Sequence, residues 1–447
     1  MMERAKQAWR WLDPRVTPRM ILLAALFAFL VYAWPGFIGW DSRDHILQAR
    51  AFSFSDGHPP AVPLLVRICE IFITGPAGVL LVQAITLLVG LNMIFKRRFS
   101  PRVAALCAAG VFLWPPISGA QGLIAKDGLM AGSLVIAIGL MLDERPSRHR
   151  LALLFVFFAS LMRWNALAAT FPPMLLLFRW SPTLRGWRRY AIALAMWFGV
   201  TAAAYGTNEM LTTTHEHLWY WGHAYLDICG TLEHLGPRPD EELNEIFDGV
   251  PLLYHDNIWQ RMHAIYSPVD HYHLMRDAGR MFDIPANDEQ RAALLRAWKR
   301  VVLAHPVEYL AYRWENFQRV IQRHRPNTWT SVYVWFNVIA APETIPELQH
   351  DAGPSRIQAR LIEASIWISL TVIYWILPYF VLSFVLLPFC TKRVLEVSLL
   401  LSAIGYQLQW FFLAAAPDVR YSQWMELCVT VVAVLLAPRA LSVIRRR

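Results

Sequence analysis

Cysteine is scarce in this chain, and its spacing suits neither metal binding nor disulfides. The 447 residues include five cysteines, with no CxxC pair and no Cys/His spacing typical of a zinc site. Cys107, Cys390 and Cys428 lie in or beside apolar runs, where a free cysteine packs as a small hydrophobic residue. The sequence therefore predicts neither a cysteine-ligated metal nor a disulfide framework.

The chain also lacks a nucleotide-binding signature and any internal repeat. No Gly-rich phosphate loop follows a strand-like segment, and no low-complexity tract is present. Charged residues make up only 17% of the chain, whereas hydrophobic residues make up 56% and mean hydropathy is +0.33. Uncharged runs of near bilayer-spanning length account for this composition. We therefore predict an all-α polytopic membrane protein.

The apolar runs predict about ten transmembrane helices. The first run leads into Trp34, Pro35 and Trp40, which are typical of interfacial anchors, and it has no small-residue cleavage site, so we interpret it as a retained span. Prolines inside several runs predict broken or tilted helices. The predicted spans lie near residues 19–36, 76–95, 102–116, 128–142, 151–166, 167–180, 188–206, 362–388, 394–415 and 422–438.

Basic residues are concentrated in alternate loops. About half of the 42 Lys and Arg lie in the N-terminal 19 residues, in the C-terminal nine, and in four loops between them, while the intervening short loops hold few. By the positive-inside rule the basic loops and both termini are cytoplasmic, in the plasma membrane (the inner membrane of a bacterium). The net charge of +9 then reflects topology, and no nucleic-acid partner is implied.

This topology predicts two large extracytoplasmic segments and three regions. Residues 1–206 form a membrane module with a first outside loop at 37–75, where 60–72 is typical of a helix lying in the interface. Residues 207–360 form a mostly helical extracytoplasmic domain, with Asn287 or Asp288 as a helix cap and Pro306 starting another helix. Residues 361–447 form a second membrane module of about three spans.

The first outside loop has a dense group of titratable residues. If a helix begins at Asp41, then Asp44 and His45 share its face at i+3 and i+4. Asp41 or Ser42 could instead only cap that helix, with the other charges solvated. Because Trp40 holds Asp41 at the membrane surface, we expect either a raised pKa for this carboxyl or a cationic partner. In "DGHPP", Asp56 and His58 lie in a turn, and His58 is either structural or an acid, base or ligand.

Cationic residues are predicted on the same side of the membrane. In "AKDGLMAG", Asp127 is expected to cap a helix while Lys126 forms an anion site beside the helix N-terminus. In "LMRWNALAATFPP", Arg163 and Asn165 lie at an outer turn, where the guanidinium either reaches lipid headgroups or binds phosphate. Arg420, in "APDVRYSQW", lies on the same side, where it either only snorkels from a capped loop or adds a third cation. Asp227 is expected to be a buried hydrogen-bonding acid.

These motifs, in this order, resemble those of the GT-C glycosyltransferases, integral membrane enzymes that use sugars linked to polyprenyl phosphate. The resemblance rests on "GWDSRDHILQA" after the first span, "DGHPP", "AKDGLMAG" and "LMRWNALAATFPP", and it covers roughly residues 20–180. It implies that Asp41 is catalytic and that Lys126 and Arg163 face the lipid phosphate. It also implies a second acid, matched by Asp44, Asp56 or Asp127, that helps to bind the acceptor or a divalent cation such as Mg or Mn.

The expected activity is transfer of a sugar, with inversion, from a polyprenyl-phosphate donor to a glycan, lipid or protein acceptor outside the membrane. Asp41 would deprotonate the acceptor hydroxyl, and Lys126, Arg163 and Arg420 would stabilise the leaving phosphate. Two alternatives stay open at this point. One is an O-antigen polymerase or ligase, which would depend on Arg and His residues between 215 and 325, and the other is a lipid-linked sugar flippase.

Overall fold

The computed structural model describes residues 15–268, 272–275, 279–322, 355–415 and 418–444. Within these ranges the regular elements are helices, and β pairing is limited to isolated bridges such as Phe37 with Leu123. The predicted all-helical class is therefore confirmed for the described part of the chain.

In the described part of the chain, ten helices precede the large segment that follows residue 211. They are α1 (Pro18–Ala33), α2 (Trp40–Ala51), α3 (Ala61–Glu70), α4 (Ala77–Phe95), α5 (Pro101–Phe112), α6 (Pro115–Gly122), α7 (Lys126–Met141), α8 (Pro146–Met162), α9 (Leu167–Leu177) and α10 (Trp187–Leu211). The predicted helix at 60–72 is thus confirmed as a helix, α3.

The large segment is mostly helical, as predicted. Its helices are α11 (Leu218–Leu235), α12 (Asp240–Ile246), α13 (Ile258–Ile265), α14 (Tyr272–Met275), α15 (Asp288–Trp298), a π-helical turn (Lys299–Leu303) and α16 (Pro306–Val320). Asn287 caps α15 by accepting from the Gln290 backbone N–H at 2.9 Å, and Pro306 is the first residue of α16. Residues 323–354 of the predicted outside domain lie outside the described residues.

Within residues 355–415 and 418–444, five helices and three short 3₁₀ turns follow. They are α17 (Arg356–Ser369), α18 (Ile376–Leu386), α19 (Val394–Leu408), α20 (Trp410–Leu413) and α21 (Gln423–Ile444). The predicted span at 362–388 is therefore divided between α17 and α18, with a 3₁₀ turn, Val372–Tyr374, between them.

Among the residues that the structure describes, four helical stretches are long and apolar enough to cross a membrane. They are Ala77–Phe95, Trp187–Leu211, Val394–Leu413 and Val419–Pro438. A fifth crossing is available if α5 and α6 act together, although they meet at 67°. The predicted span at 102–116 therefore coincides with α5 and the start of α6, which form a bent pair because Pro115 disfavours a helical conformation at Trp114. The other predicted spans correspond to helices that are shorter than a full crossing or less apolar.

Helix α7 lies within the first of two clusters of buried apolar residues. Fifteen of its 16 residues are buried, which is typical of a helix surrounded by others on all sides. It packs closely on α4, where a Cβ added at Gly90 would lie 2.7 Å from the backbone nitrogen of Ile136. Because α7 begins with Lys126 and Asp127, this core helix fixes the position of both charged residues.

A second cluster of buried apolar residues lies within the large segment. It is built on α11, α15 and α16, and Tyr225 stacks on Phe282 with ring centroids 4.4 Å apart. Asp227 is buried here, as predicted, where it pairs with Arg313 and accepts from Trp298 Nε1 at 2.9 Å. Arg313 also donates to the backbone oxygen of Ala414 at 3.0 Å. This arginine therefore joins the two clusters.

Candidate active site

The first turn of α2 is bound to the chain just before α7. Ser42 Oγ accepts from the Gly39 backbone N–H at 3.0 Å and donates to the backbone oxygen of Ile124 at 2.6 Å. The backbone of Phe37 pairs with Gly122 and Ile124 at 2.8 and 2.9 Å. These bonds place Asp41 beside Lys126, although the two residues are 85 positions apart. Ser42 therefore positions the site, a function that sequence reasoning missed because it considered only capping.

Asp41 is held by two cations. Its Oδ2 accepts from Lys126 Nζ at 3.0 Å and from Arg420 Nη1 at 3.1 Å, and its side chain is 22% exposed. Burial raises the pKa of this carboxyl, but the charges of Lys126 and Arg420 outweigh burial and hold the pKa well below its usual range. Of the two expectations for Asp41, the cationic partner is confirmed, and the carboxyl is ionised at rest.

Two histidines complete this cluster. His58 Nδ1 lies 2.8 Å from Lys126 Nζ, and His58 Nε2 lies 3.6 Å from Asp41 Oδ1. His45 is fully buried, and its ring meets the ring of His58 edge-on at 5.1 Å. Burial, with the nearby charge of Lys126, lowers the pKa of His58 to about 3, and burial also holds the pKa of His45 well below its usual range. Both imidazoles are therefore neutral at neutral pH.

Arg163 lies in a buried ion pair with Asp127. Its Nη1 donates to Asp127 Oδ1, its Nε donates to Asn165 Oδ1 at 2.9 Å, and its guanidinium lies over the ring of Trp410 at 5.2 Å. The predicted capping by Asp127 is wrong: the N-cap of α7 is Ala125, which makes no side-chain cap bond. Asp127 lies inside the first turn, where its carboxylate reaches Arg163 instead.

Arg420 joins the cluster from the start of the last long apolar stretch. Besides Asp41, it contacts Asp418, with Nε to Oδ2 at 2.7 Å and Nη2 to Oδ2 at 2.6 Å. Three cations thus face three carboxylates, so a count of the side chains gives a formal charge of zero for the cluster. The six residues are Lys126, Arg163, Arg420, Asp41, Asp127 and Asp418.

Two predicted site residues do not join this cluster. Asp44 points outward with a 48% exposed side chain and lies 3.7 Å from Arg43, while His45 takes the inward face of α2. Asp56 accepts from the backbone N–H groups of Glu216 and His217 at 2.7 and 3.0 Å. Asp56 therefore holds the first loop against the large segment.

A cavity of about 500 Å³ opens beside the cluster. Lys126 and Arg163 lie in its wall, and most of the remaining lining is aromatic or apolar. Sequence reasoning missed these aromatic residues, although tryptophans stand next to Arg163 in "RWN" and close to Arg420 in "WFFLAAAPDVR". The other lining residues are Pro59, Trp164, Asn165, Leu167, Tyr205, Tyr220, His223, Gln409, Trp410 and Leu413.

The described residues do not form a recognisable site for a divalent cation. Among them, no group of three or more His, Cys, Asp and Glu side chains is arranged to hold a metal ion. The carboxylates nearest the cavity are instead paired with Lys and Arg. The side chains present therefore do not fit the Mg or Mn that the resemblance implied.

Comparison with protein-family models, with curated proteins and with solved structures gives no match to this chain.

Proposed function

We propose that this protein is an inverting glycosyltransferase that moves a sugar from a polyprenyl-phosphate donor to an acceptor outside the plasma membrane. One observation carries the proposal. An ionised carboxylate, Asp41, shares one cluster with Lys126 and Arg420, and that cluster borders a largely apolar cavity of about 500 Å³. Transfer from a lipid-phosphate donor requires a general base, cations that bind the phosphate and an apolar pocket for the lipid.

In the proposed step, Asp41 takes the proton of the acceptor hydroxyl as its oxygen attacks the anomeric carbon. The bond between that carbon and the phosphate oxygen breaks, and the lipid phosphate leaves with the electron pair. A single displacement inverts the anomeric centre. Lys126 suits the leaving phosphate because an ammonium has three N–H donors, and its contacts among the described residues are with Asp41 and His58.

Donor binding would also prepare the base. In the resting cluster the cations hold the pKa of Asp41 low, so the carboxylate is a weak base. An arriving phosphate competes with Asp41 for Lys126 and Arg420, and this competition raises the affinity of Asp41 for a proton. The carboxylate thus becomes an effective base only when the donor is in place, which limits wasteful activation of the acceptor.

The charge of the site favours a donor with one phosphate. Because the three cations are matched by three carboxylates, a phosphodiester adds one unmatched negative charge, whereas a diphosphate adds two. Desolvated unmatched charge is costly, so the monophosphate-linked sugar fits better. The acceptor is a glycan, lipid or protein hydroxyl that reaches Asp41.

We place this site on the extracytoplasmic face, with both termini in the cytoplasm and about ten membrane crossings. The alternation of basic loops supports this topology. Four or five helical stretches of the described chain are long enough to cross unaided. The shorter apolar helices Pro18–Ala33, Leu167–Leu177 and Ile376–Cys390 would cross where the bilayer thins around the protein.

The arrangement gives less support to an O-antigen polymerase or ligase. Such an enzyme would draw arginines of the large segment into the cavity, but Tyr220 and His223 are the lining residues from that segment. Six arginines of the segment instead pair with acids of the same segment. They are Arg238, Arg261, Arg280, Arg291, Arg300 and Arg319.

The test is loss of transfer on substitution of the base. Asp41→Asn keeps the size of the side chain but removes the proton acceptor, so we expect sugar transfer to fall by about 10²- to 10⁴-fold. The measurement is mass spectrometry of surface glycans from a deletion strain complemented with each variant, at matched membrane protein levels. Asp256→Asn, on an exposed loop of the large segment, serves as the control and should transfer normally.

Full transfer by Asp41→Asn would refute the assignment of the base. If Asp41→Asn is active but Arg261→Ala and Arg280→Ala are not, the polymerase or ligase alternative is favoured instead.

A further inference from the structure

The Lys126 ammonium contacts two side chains, Asp41 and His58, and one of these two partners is an acid. Asp41 accepts from its ammonium at 3.0 Å, while His58 Nδ1 lies 2.8 Å away on the same Nζ. The lysine side chain is 6% exposed and the histidine side chain is 16% exposed. The contact is therefore shielded from water, and the bonding pattern of His58 is constrained.

The chemistry of the pair selects one form of His58. A lysine ammonium has donors and no acceptor, so His58 Nδ1 must be the unprotonated nitrogen that accepts. A neutral imidazole carries its single proton on the other nitrogen, Nε2, which faces Asp41 Oδ1 at 3.6 Å. The imidazole then presents a lone pair to the cation and an N–H to the anion. Both orientations are electrostatically favourable.

Two neighbours keep the ring in this position. Pro59 and Pro60 follow His58 directly and restrict the backbone of the turn. His45, fully buried on α2, packs edge-on against the His58 ring at 5.1 Å. Because α2 also carries Asp41, the ring and the carboxylate are fixed on the same support.

We propose that His58, as the neutral Nε2–H tautomer, is a positioning residue that holds the Lys126 ammonium at the cavity wall through Nδ1. This inference rests on the proposed function for its consequence. When a donor phosphate draws Lys126 away from Asp41, His58 remains as the second anchor. Lys126 can then form an ion pair with the phosphate without leaving the site, and Asp41 is released to act as the base.

The tautomer is tested without any activity measurement. Nitrogen NMR of the full-length protein, labelled at histidine and held in detergent, should show one ring with an unprotonated Nδ1 and a protonated Nε2. That pair of signals should disappear in His58→Asn and shift in Lys126→Met. A protonated Nδ1 at His58, or a signal unchanged in Lys126→Met, would overturn the proposal.

The positioning role is tested by two amides of different length. The asparagine side-chain oxygen reaches the place of Nδ1, whereas the glutamine amide reaches the place of Nε2. We expect His58→Asn to keep the donor KM within about threefold, and His58→Gln to raise it about tenfold or more, with a smaller change in kcat. The control pair is His255→Asn and His255→Gln, on an exposed loop, which should both match the wild type.

If His58→Gln performs as well as His58→Asn, the ring has no positioning role through Nδ1. Failure of this proposal is distinct from failure of the proposed function. If the wild type transfers no sugar while the NMR signals behave as expected, the function is wrong but the contact stands. If the wild type is active and the signals contradict the tautomer, only the role of His58 is lost.

Discussion

At the residue scale, Asp41 is a carboxylate whose state depends on its neighbours. Burial alone would favour the neutral acid, and the two cations reverse that preference. The carboxylate therefore stabilises the fold while it is charged, and this contribution is lost only as pH falls through its lowered pKa. Removing one of the cations should reverse the direction in which folding stability changes with pH.

We predict that Lys126→Met makes stability depend on pH in the opposite direction. Without the lysine charge the pKa of Asp41 rises, because burial is then opposed by Arg420 alone among the nearby Lys and Arg partners of the carboxylate. A raised pKa stabilises at low pH and costs stability as pH increases through it. The gap in melting temperature between wild type and variant should therefore narrow as pH falls from about 8 to about 5.

The matched control is the double variant Asp41→Asn with Lys126→Met, measured against Asp41→Asn. This pair has no carboxyl at position 41, so its gap in melting temperature should stay constant with pH. If the difference in melting temperature changes with pH equally in both pairs, a group other than Asp41 causes the effect.

At the element scale, the site depends on how closely α4 and α7 pack. A Cβ at Gly90 would contact backbone atoms of Val135 and Ile136, at 2.8 and 2.7 Å, and backbone cannot move aside as a side chain can. Overpacking of this kind forces the helices apart. Since Lys126 is the first residue of α7, separation of these helices would also displace the lysine ammonium.

We predict that Gly90→Ala lowers the free energy of unfolding by about 1–3 kcal/mol. The measurement is thermal or chemical unfolding of purified protein in detergent. Gly110→Ala is the control, because it lies inside α5 and an added Cβ there meets nothing within 4 Å. That substitution should be neutral, or stabilising by about 0.5–1 kcal/mol, because alanine is the better helix former. Equal effects at the two glycines would contradict close packing of α4 on α7.

At the scale of the whole molecule, one buried arginine connects the two hydrophobic clusters. Arg313 pairs with Asp227 in the large segment and donates to the backbone oxygen of Ala414, which directly follows α20. Asn316, one turn further along α16, also donates to Ala414 at 3.1 Å. Helix α16 therefore fixes the large segment above the cavity, to which α11 contributes Tyr220 and His223.

We predict that Arg313→Met destabilises the protein by about 3–5 kcal/mol, because it leaves Asp227 buried without its cation. Unfolding in detergent measures this loss. Arg319→Met is the control on the same helix: its exposed pair with Glu315 should contribute about 0.5 kcal/mol or less. Adding Asp227→Leu to Arg313→Met should recover part of the stability. No recovery would mean that Arg313 acts mainly through Ala414.

The proposed topology makes a further prediction for intact cells. Asp256→Cys lies on the exposed surface of the large segment, and Glu144→Cys lies in an exposed, basic loop on the other side. A membrane-impermeant maleimide should label the first and spare the second until the membrane is permeabilised. The native cysteines are buried or half-buried and should label weakly. Labelling of Glu144→Cys in intact cells would reverse the topology.

The sequence by itself determined the all-helical class, the presence of helices apolar enough to cross a membrane, and the chemical types in the site. Hydrophobic runs and basic loops follow from the bilayer acting on each segment separately, so they can be read locally. Asp41, Lys126 and Arg420 were recognised as candidates because a charged side chain beside an apolar run is partly desolvated, and this cost must be offset by a partner or a function. Local reading failed where Asp127 was interpreted as a cap, because the partner of this carboxylate, Arg163, lies 36 positions away in the chain.

Only the tertiary structure decided which charges meet. Ser42 bonds to Ile124 and brings α2 to the start of α7, Asp127 pairs with Arg163, and Asp44 and Asp56 lie outside the cluster. The resting state of Asp41 likewise depends on two cations from distant parts of the chain. These outcomes are set by packing between helices far apart in sequence, and the energy of a charge depends on those neighbours rather than on its own segment.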